Sequence, residues 1–236
     1  MWPKLIVMLV ASYLVGSITA AYFLTKLVKG VDIRRVGTGT VGSSNVATTT
    51  SKGLAVPIAL FDMLKGMLMF WIAGRIGLPV AGQMAAGFFT IIGHNWSLYI
   101  GFKGGKGMIT TLGIIFMVSP LLGVIILFIA YSPAIKRHMA EGVAVALLSI
   151  PIWTWFGWNW LHMALFGHSQ TITIDDRLPV TLGFIAMVVM AYAKRLFGPR
   201  VEISKGVPTG ELLLNRLLFD RDIRNRKAWI NRSSAA

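Results

Sequence analysis

The sequence contains no cysteine. That excludes a disulfide-stapled scaffold, a thiolate nucleophile and any metal or cluster held by sulfur, although it says little about compartment. Charge is scarce as well: only 14% of the 236 residues are charged, and Asp and Glu together number 9. A soluble domain of this size needs far more charge on its surface. With 55% hydrophobic residues and a mean hydropathy of +0.68, most of the apolar surface must face lipid, as in an integral membrane protein. The net charge of +14 suits an anionic leaflet or phosphorylated ligands. Nucleic acid is not expected as a partner, because the basic residues are spread between apolar runs and not gathered on one soluble domain.

Apolar stretches approaching the length of a bilayer crossing occupy residues 5–27, 54–73, 80–102, 109–131, 143–161 and 178–193. The first follows Lys4 as a signal peptide would, but it runs on into Tyr22-Phe23-Leu24 without a clear cleavage site and reads as a retained span. Suppose the loop bearing Lys26, Lys29, Arg34, Arg35 and Lys52 is cytoplasmic. Six strictly alternating crossings then put Lys136-Arg137 and the basic C-terminal segment outside, against the positive-inside rule. Ser119-Pro120, in the middle of 109–131, offers the remedy, since a proline there can break the helix into two short arms. Lys136-Arg137 and the C-terminal segment then return to the cytoplasm, leaving Lys4, Arg75 and Arg177 outside and Lys65 within a span. The expected fold is all-α: a polytopic membrane protein of about seven transmembrane helical segments, N-terminus outside and C-terminus cytoplasmic.

Residues 1–200 form the expected membrane-embedded bundle and 201–236 a basic cytoplasmic tail. In the tail Leu213, Leu217 and Leu218 can share one helical face, while Arg216, Arg224 and Lys227 can reach lipid phosphates, as in an interfacial amphipathic helix. Trp153, Trp155, Trp158 and Trp160 suit an outer aromatic belt.

Two glycine-rich loops draw attention. Gly37-Thr38-Gly39-Thr40-Val41-Gly42-Ser43-Ser44-Asn45 packs hydroxyls and an amide between glycines whose N–H groups can approach an oxyanion. Its letters match G-x-G-x-x-G, but a membrane helix precedes it where the dinucleotide fingerprint requires a strand, so it reads equally as a flexible polar connector. Gly101-Phe102-Lys103-Gly104-Gly105-Lys106-Gly107 enters a helix starting near Ile109, bringing positive charge, free N–H groups and a helix dipole together. It lacks Walker A spacing; a positive-inside loop would need its lysines but not its four glycines, which favours an anion site. Asp62 and Lys65 lie three residues apart inside a span, on one helix face, and read as an internal brace beside the site. His94 can donate to a phosphate or act in acid–base chemistry, or simply pack. No histidine has an acidic residue five positions on, and G-x-S-x-G and H-E-x-x-H are missing. Chemistry must therefore rest on hydroxyls, amides, lysines, arginines and glycine backbone.

Gly16-Ser17-Ile18, Lys29-Gly30-Val31-Asp32-Ile33-Arg34, Val36 to Gly39, Asn45-Val46, Phe61 to Gly66, Gly93-His94, Gly101 to Gly107 and Val118-Ser119-Pro120 follow one another in an order that resembles the bacterial acylphosphate-dependent glycerol-3-phosphate acyltransferase family. The resemblance covers roughly the first 120 residues. It implies a seven-helix inner-membrane enzyme, without metal or cofactor, that acylates the sn-1 hydroxyl of glycerol 3-phosphate from an acyl phosphate and releases lysophosphatidate and phosphate. It implies acyl phosphate, glycerol 3-phosphate and membrane lipids as partners of a monomer. On it, Thr38, Asn45 and Lys106 are the expected catalytic residues. Arg34, Arg35, Gly37, Gly39, Gly42, Ser44, His94, Lys103, Gly104 and Gly105 are expected to bind substrate, with Asp62, Lys65 and Arg195 in support.

The chain departs from the family pattern in places. Where G-S-G-N-x-G-A-T-N is usual, Thr38, Thr40 and Ser44 replace serine, asparagine and threonine, and the stretch from His138 to Gly142 lacks the family's serine. Where H-R-x-N-I-x-R is usual, Val189 to Arg195 keeps only the final arginine, with Lys194 beside it. Two alternatives follow: a diverged homologue that binds phosphates but is inactive or uses another donor or acceptor, and an organic-phosphate transporter.

Overall fold

The computed structural model describes residues 1–132, 139–163, 172–198, 200, 202–225 and 228–229; the expectations for Lys136, Arg137 and Lys227 fall outside these. Among the described residues every regular element is helical. The first apolar run forms α1 (Trp2–Ser17) and α2 (Ala20–Lys29), separated by Ile18 and Thr19 in extended conformation. The sequence reading treats this run as one span. Its interruption coincides with Gly16-Ser17-Ile18-Thr19, four weak helix formers in a row, and the carbonyls it frees find partners elsewhere. Ser97 Oγ donates to Ser17 O at 2.5 Å, and Lys65 Nζ donates to Gly16 O and Ile18 O, each at 3.1 Å.

After the short α3 (Ser43–Thr49), α4 (Lys52–Arg75) is capped by Ser51, whose hydroxyl accepts from Leu54 N. Val56, Leu60, Leu64 and Leu68 stand exposed at four-residue intervals, whereas Ile58, Asp62, Lys65 and Met69 are buried. An apolar exposed stripe over a partly polar buried face inverts the soluble pattern and fits a helix solvated by lipid. The stretches Trp2–Lys29 and Lys52–Arg75 are long and apolar enough to cross a membrane by length and composition. Next come α5 (Val80–Asn95), α6 (Met108–Val118) and α7 (Pro120–Tyr131). The break expected at Ser119-Pro120 is present: Ser119 Oγ caps α7 by accepting from Leu122 N at 3.2 Å, and Pro120 takes the first helical position, where it has no N–H to lose. The chain continues through α8 (Met139–Phe156), α9 (Trp158–Met163), α10 (Arg177–Leu196) and α11 (Thr209–Phe219).

The largest core lies between α5, α6, α7, α8 and α10 and includes Ile91, Ile114, Leu122, Ile150 and Phe184. Small residues bring α1 against α5 and α4 against α6: a Cβ on Gly93 would stand 2.2 Å from Tyr13 O, and one on Gly113 2.2 Å from Met63 O. These contacts fix the C-terminal end of α5, where His94 and Asn95 lie.

Two tryptophan and tail expectations change. Trp158 is buried, its Nε1 donating to Ile174 O at 2.9 Å, so it packs inside while Trp153, Trp155 and Trp160 remain exposed. Arg216 is buried too, and instead of reaching lipid it donates to Leu196 O at 2.7 Å and Gly198 O at 2.6 Å, satisfying carbonyls at the end of α10. Leu213, Leu217 and Leu218 stay exposed, whereas Leu212 packs inward.

Candidate active site

The first glycine loop is organised from within. Ile33, Val41 and Val46 are fully buried against Ala21 of α2 and Ile58 of α4. Each such side chain contributes about 1.5–3 kcal/mol on burial, enough to hold the loop in one place, so it is packed and not a free connector. Asn45 directs its shape. Its Oδ1 accepts from Thr38 N at 3.0 Å, while Nδ2 donates to Ile33 O, Val36 O and Thr40 O at 3.2, 3.0 and 3.1 Å. That uses the whole amide, making Asn45 a positioning residue. The N–H groups of Gly39 and Gly42 are also engaged locally, with Val36 O and Thr40 O. What the loop offers a ligand is therefore hydroxyl: Thr38 Oγ1 and Thr40 Oγ1 stand 2.5 Å apart, both partly exposed. Ser44 is exposed on α3.

Arg34 lies at the loop's start with its guanidinium 2.7 Å from Asp32, a further hydrogen bond to Ile100 O at 3.2 Å and the Tyr22 ring 4.6 Å away. It ties the two loops together. The hydrogen bonds from Arg34 hold the Asp32 carboxyl down to about 2, below its ordinary 3.8. Arg35 is exposed.

Beneath the loops lies a buried ionic cluster. Lys65 Nζ is 2.8 Å from Asp62 Oδ1 and 2.9 Å from His94 Nδ1, besides its bonds to Gly16 O and Ile18 O. Asp62 Oδ1 and His94 Nδ1 are 3.4 Å apart. A lysine ammonium has only hydrogens to give, so His94 Nδ1 accepts and this network assigns the ring hydrogen to Nε2. That nitrogen lies beside the second loop: a Cβ on Gly105 would come 2.1 Å from His94 Nε2 and 2.5 Å from Val41 O. Gly105 is thus where His94, the first loop and the second loop meet, and only a residue without a side chain fits. Its N–H donates to His94 O at 3.0 Å, so Gly104 is the member of the pair whose amide is not spent there.

Cations surround this junction. Lys103 is exposed, while Lys106 is partly buried. Arg195, at the end of α10, is buried, and its neighbour Lys194 donates to Asn95 O at 2.8 Å over the Trp96 ring. Asp220, which follows α11, reaches both Lys106 and Arg195. Asn95 itself is completely buried with neither amide atom hydrogen-bonded among the described residues. Sequence reasoning missed Asn95 and Asp220 as members of the site. The Asn95 position, at the end of an apolar span directly after His94, carried a usable signal; Asp220 lies more than a hundred residues from Lys106 and carried none. No group of three or more His, Asp or Glu able to hold a metal ion occurs among the described residues.

The arrangement brings together two hydroxyls, a buried imidazole and a cationic rim beside a lipid-facing bundle. Such a site binds phosphate and orients a reaction more readily than it supplies a strong base. Comparison with known proteins agrees. The family model for glycerol-3-phosphate acyltransferase matches residues 6–196. Glycerol-3-phosphate acyltransferase 4 of Dehalococcoides mccartyi (strain CBDB1) is 37% identical, over 100% of this chain and 97% of its own length. Glycerol-3-phosphate acyltransferase 1 of Deinococcus radiodurans is 37% identical over 61% of this chain and 78% of its own. The crystal structure of PlsY (YgiH), an integral membrane glycerol 3-phosphate acyltransferase in its glycerol 3-phosphate form, superposes with a TM-score of 0.68 at 27% identity, covering 81% of this chain and 88% of that one. By the family match and the full-length similarity, the chain belongs to the glycerol-3-phosphate acyltransferase family.

Proposed function

We propose that this membrane acyltransferase takes its acyl group from an acyl phosphate and places it on the sn-1 hydroxyl of glycerol 3-phosphate, as a monomer at the cytoplasmic leaflet of a bacterial plasma membrane. The observation that carries the reading is the junction at Gly105, where two polar loops meet a buried His94 beneath Lys106 and Arg195. Seven membrane segments with the N-terminus outside and the C-terminus cytoplasmic accord with this, because the Lys- and Arg-bearing ends then share one side.

In the reaction, the sn-1 oxygen attacks the acyl carbonyl, the new ester C–O bond forms and the C–O bond to phosphate breaks. Phosphate leaves with the bonding pair. The hydroxyl proton passes to a phosphate oxygen of the substrates, so lysophosphatidate and inorganic phosphate balance the equation. Lys106 and the Gly104 amide hold one phosphate and the Thr38 and Thr40 hydroxyls the other, while Asn45 and Gly105 keep the two loops in register. His94 Nε2–H lies beside the same junction and serves as a hydrogen-bond donor. Asp62 and Lys65 fix the imidazole from behind. Catalysis is then mainly orientation and charge stabilisation. The acyl chain lies against the apolar helix surfaces; a groove of about 400 Å³ between α5 and α10, lined by Met84, Phe88, Leu182 and Ala186, offers one such surface.

A second reading, a family member that binds phosphate monoesters without acyl transfer, is favoured by α10. Val189, at the family's histidine position, is exposed, and Tyr192, at its asparagine position, donates its hydroxyl to Ala144 O at 3.0 Å. One assay separates the readings: purified protein in lipid receives palmitoyl phosphate or palmitoyl-CoA with labelled glycerol 3-phosphate. Lysophosphatidate from palmitoyl phosphate alone is expected, with Lys106→Ala slower by about 100-fold or more, the usual cost of losing one charge-stabilising donor. No product from folded protein that still binds glycerol 3-phosphate would replace the first reading with the second.

A further inference from the structure

The tail beyond α10 lies outside residues 6–196, which the family model matches, yet it contributes a carboxylate to the site. Asp220 ends α11 in the left-handed conformation, φ 57°, its N–H donating to Arg216 O. The turn is fastened independently of that carboxylate. Buried Arg216 pairs with buried Asp222 at 2.7 Å, Ser204 Oγ donates to Asp222 Oδ2 at 2.8 Å, and Arg216 holds the end of α10. From this anchored turn Asp220 Oδ2 stands 2.5 Å from Lys106 Nζ, and Oδ1 stands 3.5 Å from Arg195 Nε.

The contact is charge-matched but incomplete. Arg195 Nε is buried and has no hydrogen-bond partner among the described residues, because 3.5 Å to a planar monoanion is too long and poorly directed. A phosphate monoester carries more charge and three terminal oxygens, enough to serve both cations at once. Lys106 and Asp220 each keep about a fifth to a quarter of their side-chain surface exposed, 20% and 24%, so the pair can open without unpacking the core.

We propose that Asp220 is a built-in competitor: its carboxylate occupies the Lys106/Arg195 anion subsite when no ligand is bound, and a phosphate monoester dianion displaces it. Asp220 thereby sets the affinity of the site for its phosphate substrate. The proposal rests on the reading that Lys106 contacts a substrate phosphate.

Asp220→Asn is the informative change, since asparagine keeps the size, tolerates the left-handed backbone and removes the charge. Glycerol 3-phosphate is titrated calorimetrically into the full chain in detergent micelles, with inorganic phosphate as a second probe. Binding of both should tighten about tenfold, as when a competent state held near one part in ten becomes dominant, and KM for glycerol 3-phosphate should fall with it while the unfolding midpoint stays put. Asp220→Gly, equally at ease with positive φ, should reproduce the gain. Lys106→Gln should weaken binding in either background. If Lys106→Gln weakens binding but both Asp220 variants bind as wild type or worse, the carboxylate supports Lys106 and the competitor is overturned while the phosphate site stands. If Lys106→Gln leaves binding unchanged, both fall.

Discussion

Two ionic clusters lie at different depths of the same molecule, and they behave as opposites. Asp62, Lys65 and His94 are all buried, and every contact of the Lys65 ammonium is to a fixed neighbour, including two carbonyls released by the break between α1 and α2. Lys106 and Asp220 meet at the rim, where water reaches both. In the first cluster the ions are an internal brace: opening it would strand charge in an apolar bundle. In the second, water reaches both partners, and on the reading proposed above a phosphate competes with Asp220 for Lys106, so the pair is exchangeable. Burial, more than the identity of the pair, decides which lysine is locked into the fold and which stays accessible from outside.

The brace should break first and hardest. Lys65→Met removes one partner and leaves Asp62 buried without compensation, at a cost of about 3–5 kcal/mol. Thermal unfolding in detergent should show a large drop. The double variant Asp62→Leu with Lys65→Met should recover much of it, because no lone charge remains. A single variant that unfolds at the wild-type temperature would show that the cluster is as exchangeable as the rim.

Between the two clusters stands Gly105, and changing it tests whether they communicate. Gly105→Ala drives a Cβ toward His94 Nε2 and Val41 O, one of them backbone, so the loops must separate by an appreciable fraction of an ångström or more. Displacement of that size costs reactions governed by orientation about 100-fold. Acyl transfer should fall by about that factor, and the unfolding temperature should drop as well, because overpacking a buried junction costs about 1–3 kcal/mol. Full activity would show that the junction is packing alone and that the rim works without the imidazole beneath it.

Much of this division was legible in the sequence, for reasons that also mark where legibility ends. Asp62 and Lys65 stand one helical turn apart in an apolar run, so a local rule sufficed to pair them. Ser119-Pro120 likewise announced its helix break through the chemistry of two adjacent residues. The break at Ile18 and Thr19 was only half legible: Gly16-Ser17-Ile18-Thr19 is a weak helix-forming stretch, but the groups that take up the freed carbonyls, Lys65 and Ser97, lie far along the chain. Asn45 was expected as a catalytic residue, and sequence could not tell a ligand contact from a loop organiser, since that depends on where three carbonyls point. Arg216 looked like a lipid-facing charge because helical periodicity does not reveal that a neighbouring helix ends against it. Asp220 needed the tail's docking to bring it to Lys106 at all.

The smallest effect expected is at a third ion pair, Asp32 with Arg34, which sits at the rim but is also tied to the loop backbone: Arg34 N donates to Asp32 Oδ1 at 3.0 Å. Asp32→Asn should cost at most about 1 kcal/mol near neutral pH, as partly exposed pairs do. Its acid dependence is more telling than its size. The carboxyl titrates at about 2 in the folded chain against an ordinary 3.8, so the stabilisation is complete above 3.8 and is lost as pH falls through about 2. Hydrogen exchange at the Arg34 amide reads this locally. Wild type should be better protected than Asp32→Asn at pH 5, and the two should converge as the pH drops toward 2. Protection that persists equally in both proteins across that window would mean that the loop is held by Ile33 and Asn45 alone, leaving Arg34 available to a ligand.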